Sequence, residues 1–197
     1  MRLWYQLGGI AAILVLTATL ATAGDGEKKA RSGPKIGDAA PAFELKATDG
    51  KTYKLADLKD KTVVLEWINR ECPVCKKQAP QMKATAESMQ AKGVIWLAID
   101  STAAHALADN AEHVKADKLP YPILDDHEGT VGKAYGSAHT PTMFIVHKGK
   151  IAYTGALVPA KGDERNYVKE AAEALLAGKE PPLAETEAYG CSVKYKK

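Results

Sequence analysis

A nearly unbroken apolar run over residues 63–68 meets the polar break Asn69-Arg70-Glu71 and then Cys72-Pro73-Val74-Cys75. No other stretch restricts the possible folds as tightly. The run is rich in β-branched and aromatic residues, the pattern of a strand covered on both faces, although periodicity alone also admits a buried helix. Past the break a helical pattern starts. Pro73 suits a first helical turn, where a missing N–H costs nothing. A cysteine there meets the positive end of the backbone dipole and free N–H groups that solvate a thiolate. The sequence thus predicts a dithiol at a strand–turn–helix junction, with Cys72 the exposed attacker and Cys75, one turn on, the more buried resolving thiol. A permanent staple is the other use of such a pair, but so short a loop restrains an unfolded chain little.

Three further features stand in order along the chain. Glu66 is the one charge inside the apolar run, six residues before Cys72; Pro80 lies five residues past Cys75; and Thr140-Pro141 leads into an apolar run over 142–146. With the Cys-x-x-Cys pair, these features resemble the thioredoxin superfamily, in its extracytoplasmic redoxin (alkyl hydroperoxide reductase/thiol-specific antioxidant)-like branch. The resemblance implies a cis Pro141 opposite the cysteines, with Thr140 offering backbone hydrogen bonds to a substrate chain that also meets Pro73 and Val74. It also implies a catalytic Glu66 that takes the Cys75 proton, its pKa raised by burial. Aspartate is the commoner occupant of that position, and a glutamate paired with a lysine such as Lys83 is the structural alternative.

The fold expected is α/β and thioredoxin-like: a mixed central sheet flanked by helices, with an N-terminal β-hairpin extension. Phe43 and Leu45 alternate with polar neighbours, and Asp49-Gly50 supplies a turn before a second short strand over 52–55. A helix over 72–92 buries Ala79, Met82, Ala86 and Met89, and the methionines read as core filler. After a strand over 94–99, Ser101-Thr102 cap a helix whose stripe is Ala103, Leu107, Ala111 and Val114. Residues 119–126 read as an extended connection and 130–135 as a short helix. Strands over 142–146 and 151–154 form a hairpin, and Val168, Ala171, Ala172, Leu175 and Leu176 mark the apolar face of a last helix.

The ends divide the chain further. Residues 1–23 carry Arg2, an apolar centre and small residues at 21–23, the marks of a cleaved signal peptide. The expected address is therefore across the inner membrane, in the periplasm, with an uncleaved N-terminal anchor as the alternative. A polar linker over 24–34 leads into a thioredoxin-like domain over 35–180, followed by a tail over 181–197 that carries Cys191. The Lys-Tyr-Lys-Lys ending reads as solvated. Cys191 leaves an odd thiol in an oxidising compartment, which invites a partner. The Tyr-Gly-Cys-Ser-Val-Lys-Tyr ending resembles a tail of redoxin-family proteins with only the first active-site cysteine. That resemblance implies a third redox thiol near Cys72; an inert cysteine and an intermolecular disulfide remain open beside it.

A formal net charge of +3 gives no reason to expect nucleic acid as a partner. The function expected is a thiol–disulfide oxidoreductase acting on protein disulfides and dithiols, needing no cofactor or metal and fed by a membrane electron donor. The Pro-Val dipeptide lacks the histidine of strong oxidants, which favours a reductase or isomerase. Two other readings stand beside it. A peroxiredoxin-like peroxidase fits Cys72-Pro73, but such enzymes carry threonine where this chain has Asn69. A non-enzymatic copper carrier would use the two cysteines with His139, at a cysteine spacing one residue too short. The sequence leaves the oligomeric state open.

Overall fold

The computed structural model describes Met1, residues 33–162 and residues 165–197. The expected signal peptide and nearly all of the expected linker lie outside the described residues. The chain opens with strands β1 (Glu44–Lys46) and β2 (Thr52–Lys54), an antiparallel hairpin, followed by a 3-10 turn at Leu55–Leu58. Strand β3 (Thr62–Trp67) leads to helix α1 (Pro73–Gln90), strand β4 (Ile95–Asp100), helix α2 (Leu107–Asp117), strand β5 (Ile123–Asp125) and helix α3 (Thr130–Tyr135). Then come β6 (His139–Thr140), β7 (Thr142–His147), β8 (Lys150–Gly155), helix α4 (Tyr167–Leu176) and β9 (Cys191–Ser192).

Five strands form the central sheet in the order β5-β4-β3-β7-β8. The pairs β3–β4 and β4–β5 are parallel; β3–β7 and β7–β8 are antiparallel. Side chains alternate across this sheet with period two, so one sequence run feeds two cores. Val64, Trp96, Ile123, Met143 and Ile145 pack under α1 and α4, against Met82, Ala86, Met89, Val168 and Ala171. On the opposite face Val63, Leu65, Trp67, Leu97, Phe144 and Val146 pack against Tyr135 of α3 and against Phe43 and Leu55. Here the Trp67, Tyr135 and Phe144 rings stand 5.0–5.2 Å apart. Each apolar side chain wholly removed from water contributes about 1.5–3 kcal/mol. The two-sided sheet, and not the short hairpins at its margins, therefore carries the stability of the fold.

Three expectations need correction. The helix placed from Ala103 begins only at Leu107, with Asp109 accepting from the Ala106 N–H at 2.8 Å. Residues 101–106 are held as a loop instead: His105 bonds Asp100 at 2.6 Å, and the Ala103 N–H donates to the carbonyl of Lys194 in the tail. Ala103 is exposed and Asn110 is the buried residue of that helix. The connection over 119–126 contains β5, too short after Pro120 and Pro122 to show in a pattern, but paired in register with β4. Leu176, assigned to the core face of the last helix, is exposed.

The tail is docked along its length. The Thr186 N–H donates to the Thr154 carbonyl of β8 and the Thr154 N–H to the Ala184 carbonyl, while the Thr186 hydroxyl meets Tyr153 at 2.6 Å and the Ala156 N–H at 3.0 Å. Tyr189 accepts from Gln78 of α1 at 2.8 Å and donates to the Pro159 carbonyl at 3.1 Å. Farther on, the Val193 N–H donates to Ala138, and Tyr195, read as part of a solvated ending, donates to the Ser137 carbonyl at 2.6 Å. Lys196 pairs with Glu128 at 2.8 Å. A methyl group on Gly132 would strike the Tyr195 ring and hydroxyl, so glycine makes the room in which that ring sits.

Candidate active site

The dithiol stands where β3 hands over to α1. Strand β3 ends at Trp67, and Asn69 builds the turn that follows. Its side-chain oxygen accepts from the Glu71 N–H at 2.7 Å, its amide donates to Thr102, and its carbonyl accepts from the Cys72 N–H at 3.0 Å. Cys72 is the N-cap residue, with extended backbone, and Pro73 is the first residue of α1. Cys75 lies within the first turn, so both sulfurs lie near the end of the helix where backbone N–H groups are unpaired. Pro80 lies inside α1, where its ring removes one helical hydrogen bond.

Opposite the helix start, the Thr140–Pro141 peptide bond is cis. Thr140 ends the short strand β6, and its carbonyl accepts a hydrogen bond from the Cys72 thiol at 3.1 Å. Strand β9 of the tail pairs antiparallel with β6 and sets Cys191 opposite Thr140. The close approach depends on Gly190, at φ 139°, where a Cβ would collide with the Thr140 carbonyl.

This docking overturns the expectation of an exposed attacker above a more buried partner. Cys72 is 2% exposed and Cys75 is 7% exposed, whereas Cys191 is half-buried. Here β6 and β9 cover the helix start.

The two cysteines of the pair are opposite in acidity. Burial works against the Cys72 thiolate, but the Cys191 thiol, the backbone N–H groups of Cys75 and Cys191, and Thr140 outweigh it and bring the pKa down from 9.0 to about 7. Burial pushes the Cys75 thiol well up, and the charges of Cys72 and Glu66 add to the rise. The Cys191 thiol is raised by its hydrogen bond to Cys72, for which it holds the proton. The arrangement sets a thiol ionised near neutrality beside a buried thiol held in its protonated form.

Glu66 is the buried carboxyl that shares a cavity with Cys75. It is 2% exposed on β3, on the α1 face, and burial lifts its pKa from 4.5 to about 7 against hydrogen bonds from Trp96 and Tyr121. The Trp96 indole donates to it at 3.0 Å. The lysine considered as its structural partner, Lys83, instead donates to the Asp117 carbonyl at 2.8 Å. Glu66, Cys75 and Tyr121 line a cavity of about 20 Å³ that also touches His113 and Asp117, room for a single water. Neither partner of Glu66 was singled out from the sequence. The parallel register brings the first of them in, since Trp96 sits opposite Val64, two residues from Glu66 on one face.

Val74 is partly buried against the core beside the dithiol, and Pro73 is exposed. His139, the histidine considered for a copper site, is exposed on β6 opposite Ser192. Among the described residues no cluster of three His, Cys, Asp or Glu side chains is arranged to hold a metal ion.

Comparison with known proteins agrees with this geometry. Residues 36–154 match the AhpC/TSA family. A thiol-disulfide oxidoreductase ResA from Bacillus subtilis is 31% identical over 137 residues, covering 68% of this chain and 75% of the relative. One from Bacillus thuringiensis is 33% identical over 118 residues, 59% and 67% of the two chains. Among solved structures, an uncharacterized conserved protein from Geobacillus kaustophilus superposes with a TM-score of 0.75 at 30% identity, covering 82% of this chain and 93% of the other.

Proposed function

This chain belongs to the AhpC/TSA family, and from that footing we propose that it is a thiol–disulfide oxidoreductase acting on protein cysteines outside the cytoplasm, as a reductase or isomerase. The observation that carries the reading is the pairing of unlike thiols: Cys72 ionised near neutral pH, Cys75 held protonated next to Glu66. In the reductive direction the Cys72 thiolate attacks a substrate disulfide, forming a mixed disulfide and releasing one substrate thiolate. Glu66 takes the Cys75 proton, through a water in the cavity between them. The Cys75 thiolate then attacks Cys72 Sγ and the second substrate thiolate leaves. The substrate chain lies along Thr140 and Pro141 and over Pro73 and Val74.

The reductive lean draws support from the acidity of Cys72. A very acidic thiolate stabilises the reduced form and makes a strong oxidant; a thiolate near 7 does not. Residues 1–23 serve as the export signal, and a membrane protein supplies electrons. A peroxidase reading gains nothing from Asn69, whose side chain is spent on the turn and on Thr102. Equilibration of the dithiol in glutathione buffers tests direction. The expected potential lies nearer to thioredoxin, at about −270 mV, than to the strongest oxidants, at about −120 mV. A value at the oxidising end refutes the reductive assignment, and peroxide consumption with a dithiol reductant at peroxidase rates refutes the reaction class.

A further inference from the structure

The proposed cycle uses two thiols, yet three converge on one point. Cys72 donates to the Thr140 carbonyl, and Cys191 is the residue paired with Thr140 across β6–β9. Each of the two thiols perturbs the acidity of the other, and the Val74 backbone at the start of α1 favours the Cys191 thiolate. This placement is built into the chain on both sides. Before Cys191 stand the Thr186 and Tyr189 contacts and the close approach of Gly190; after it stand those of Val193 and Tyr195.

From this convergence we infer that Cys191 is a second resolving thiol, able to close on Cys72 and expel a bound substrate thiol without Cys75. The inference rests on Cys72 being the attacker. The bonds balance as follows. Cys72 thiolate and a disulfide R–S–S–R give Cys72–S–S–R and one thiolate. Cys191 thiolate then attacks Cys72 Sγ, so that the Cys72–Cys191 bond forms, the Cys72–S–R bond breaks and the second thiolate leaves.

Two features of the site favour this step. Cys191 holds its proton because the Cys72 thiolate is beside it, and that charge disappears once Cys72 enters a mixed disulfide. Cys72 is also covered, so a protein substrate must lift β9 to reach it, and the strand carries Cys191 back as it re-docks. Cys75 depends on a buried base, whereas half-buried Cys191 exchanges its proton with solvent.

The test uses the full chain with Cys75→Ser, reduced, monomeric and mixed with a slight excess of 5,5′-dithiobis(2-nitrobenzoate). The expected result is release of two equivalents of thionitrobenzoate, the second at a rate independent of protein concentration. Intact mass should show no adduct, and non-reducing peptide mapping should show the Cys72–Cys191 disulfide. The Cys75→Ser, Cys191→Ser double variant should release one equivalent and keep the adduct on Cys72, a twofold difference in chromophore. Cys75→Ala repeats the measurement if serine at that position unfolds the chain. Two equivalents with two retained adducts, or one equivalent with Cys191 left free, overturns the inference. Wild-type protein separates the two levels: its normal release through Cys75 while the variant keeps its adduct refutes Cys191 alone. Failure of wild type to react at all refutes the dithiol reading together with this one.

Discussion

Replacing Glu66 with glutamine should make the protein more stable in alkali and slower at its chemistry. The native carboxyl titrates at about 7 and the reference glutamate at 4.5. At about 1.4 kcal/mol per unit that gap is worth about 3 kcal/mol. The sign follows from proton counting. Between those two pH values the native state holds a proton that the unfolded chain has released, so the contribution is intact below 4.5 and is lost as pH rises through about 7. Glutamine loses nothing over that range. It does turn an NH2 towards one of two donors, the Trp96 indole or the Tyr121 hydroxyl, which costs about 1 kcal/mol. Glu66→Gln should therefore trail wild type by about 1 kcal/mol at pH 4 and lead by about 2 kcal/mol at pH 9. That lead is about 4–8 °C in Tm for a domain of this size. Urea unfolding at pH 4, 7 and 9 measures the stability, and stopped-flow resolution of a mixed disulfide measures the chemistry, which should slow about 100-fold at pH 7. A stability difference that does not change with pH, together with wild-type resolution from pH 6 to 9, would refute Glu66 as a buried titrating base.

Three other outcomes are expected. Cys72→Ser should abolish disulfide reduction, and in a Cys75→Ser, Cys191→Ser background the substrate should stay trapped on Cys72; trapping on Cys75 in the Cys72→Ser protein refutes the order of attack. Cys191→Ala removes a donor to the Cys72 thiolate, so the pH midpoint of Cys72 alkylation should move from about 7 towards 9, by about one unit for the loss of a bond to a charged group; an unmoved midpoint would mean that the thiol does not hold the charge. Gly190→Val places a side chain against the Thr140 carbonyl at φ 139° and should weaken β9 docking by about 1–3 kcal/mol; iodoacetamide should then label Cys72 about tenfold faster, and an unchanged rate would show that β9 does not shield it.

What the sequence made legible was whatever declared itself over short distances. Residues 63–68 anticipated β3, Pro73 marked the helix start, and Met82, Ala86 and Met89 gave the buried face of α1 by spacing alone. In place of Ala79, however, Gln78 is the buried neighbour, because it reaches a tyrosine 111 residues later. The same distance hid the state of Cys72. Its exposure could not be read from its own helix, since Cys191 and Thr140 do the covering. Ala103 was placed in a helix because its apolar spacing was right. It lies instead in a loop held by the His105–Asp100 pair and by Lys194, groups with no periodic signature. Glu66 stood out as a charge in an apolar run, but its acidity is set by burial and by Trp96 and Tyr121, which come from two other segments.

The docking of the tail also sets the order in which the protein becomes itself during synthesis. Every strand of the central sheet, and the cysteine pair, has been made by residue 155, while the strand that covers Cys72 comes only at Cys191–Ser192. Because translation proceeds from the N-terminus, the dithiol folds first in an uncovered form and meets its cover only once β9 has been made. Pairings between segments so distant in sequence form late for the entropic reason that long loops must close first. A chain still short of Cys191 is thus at its most reactive, and the docking of β9 is what shelters Cys72.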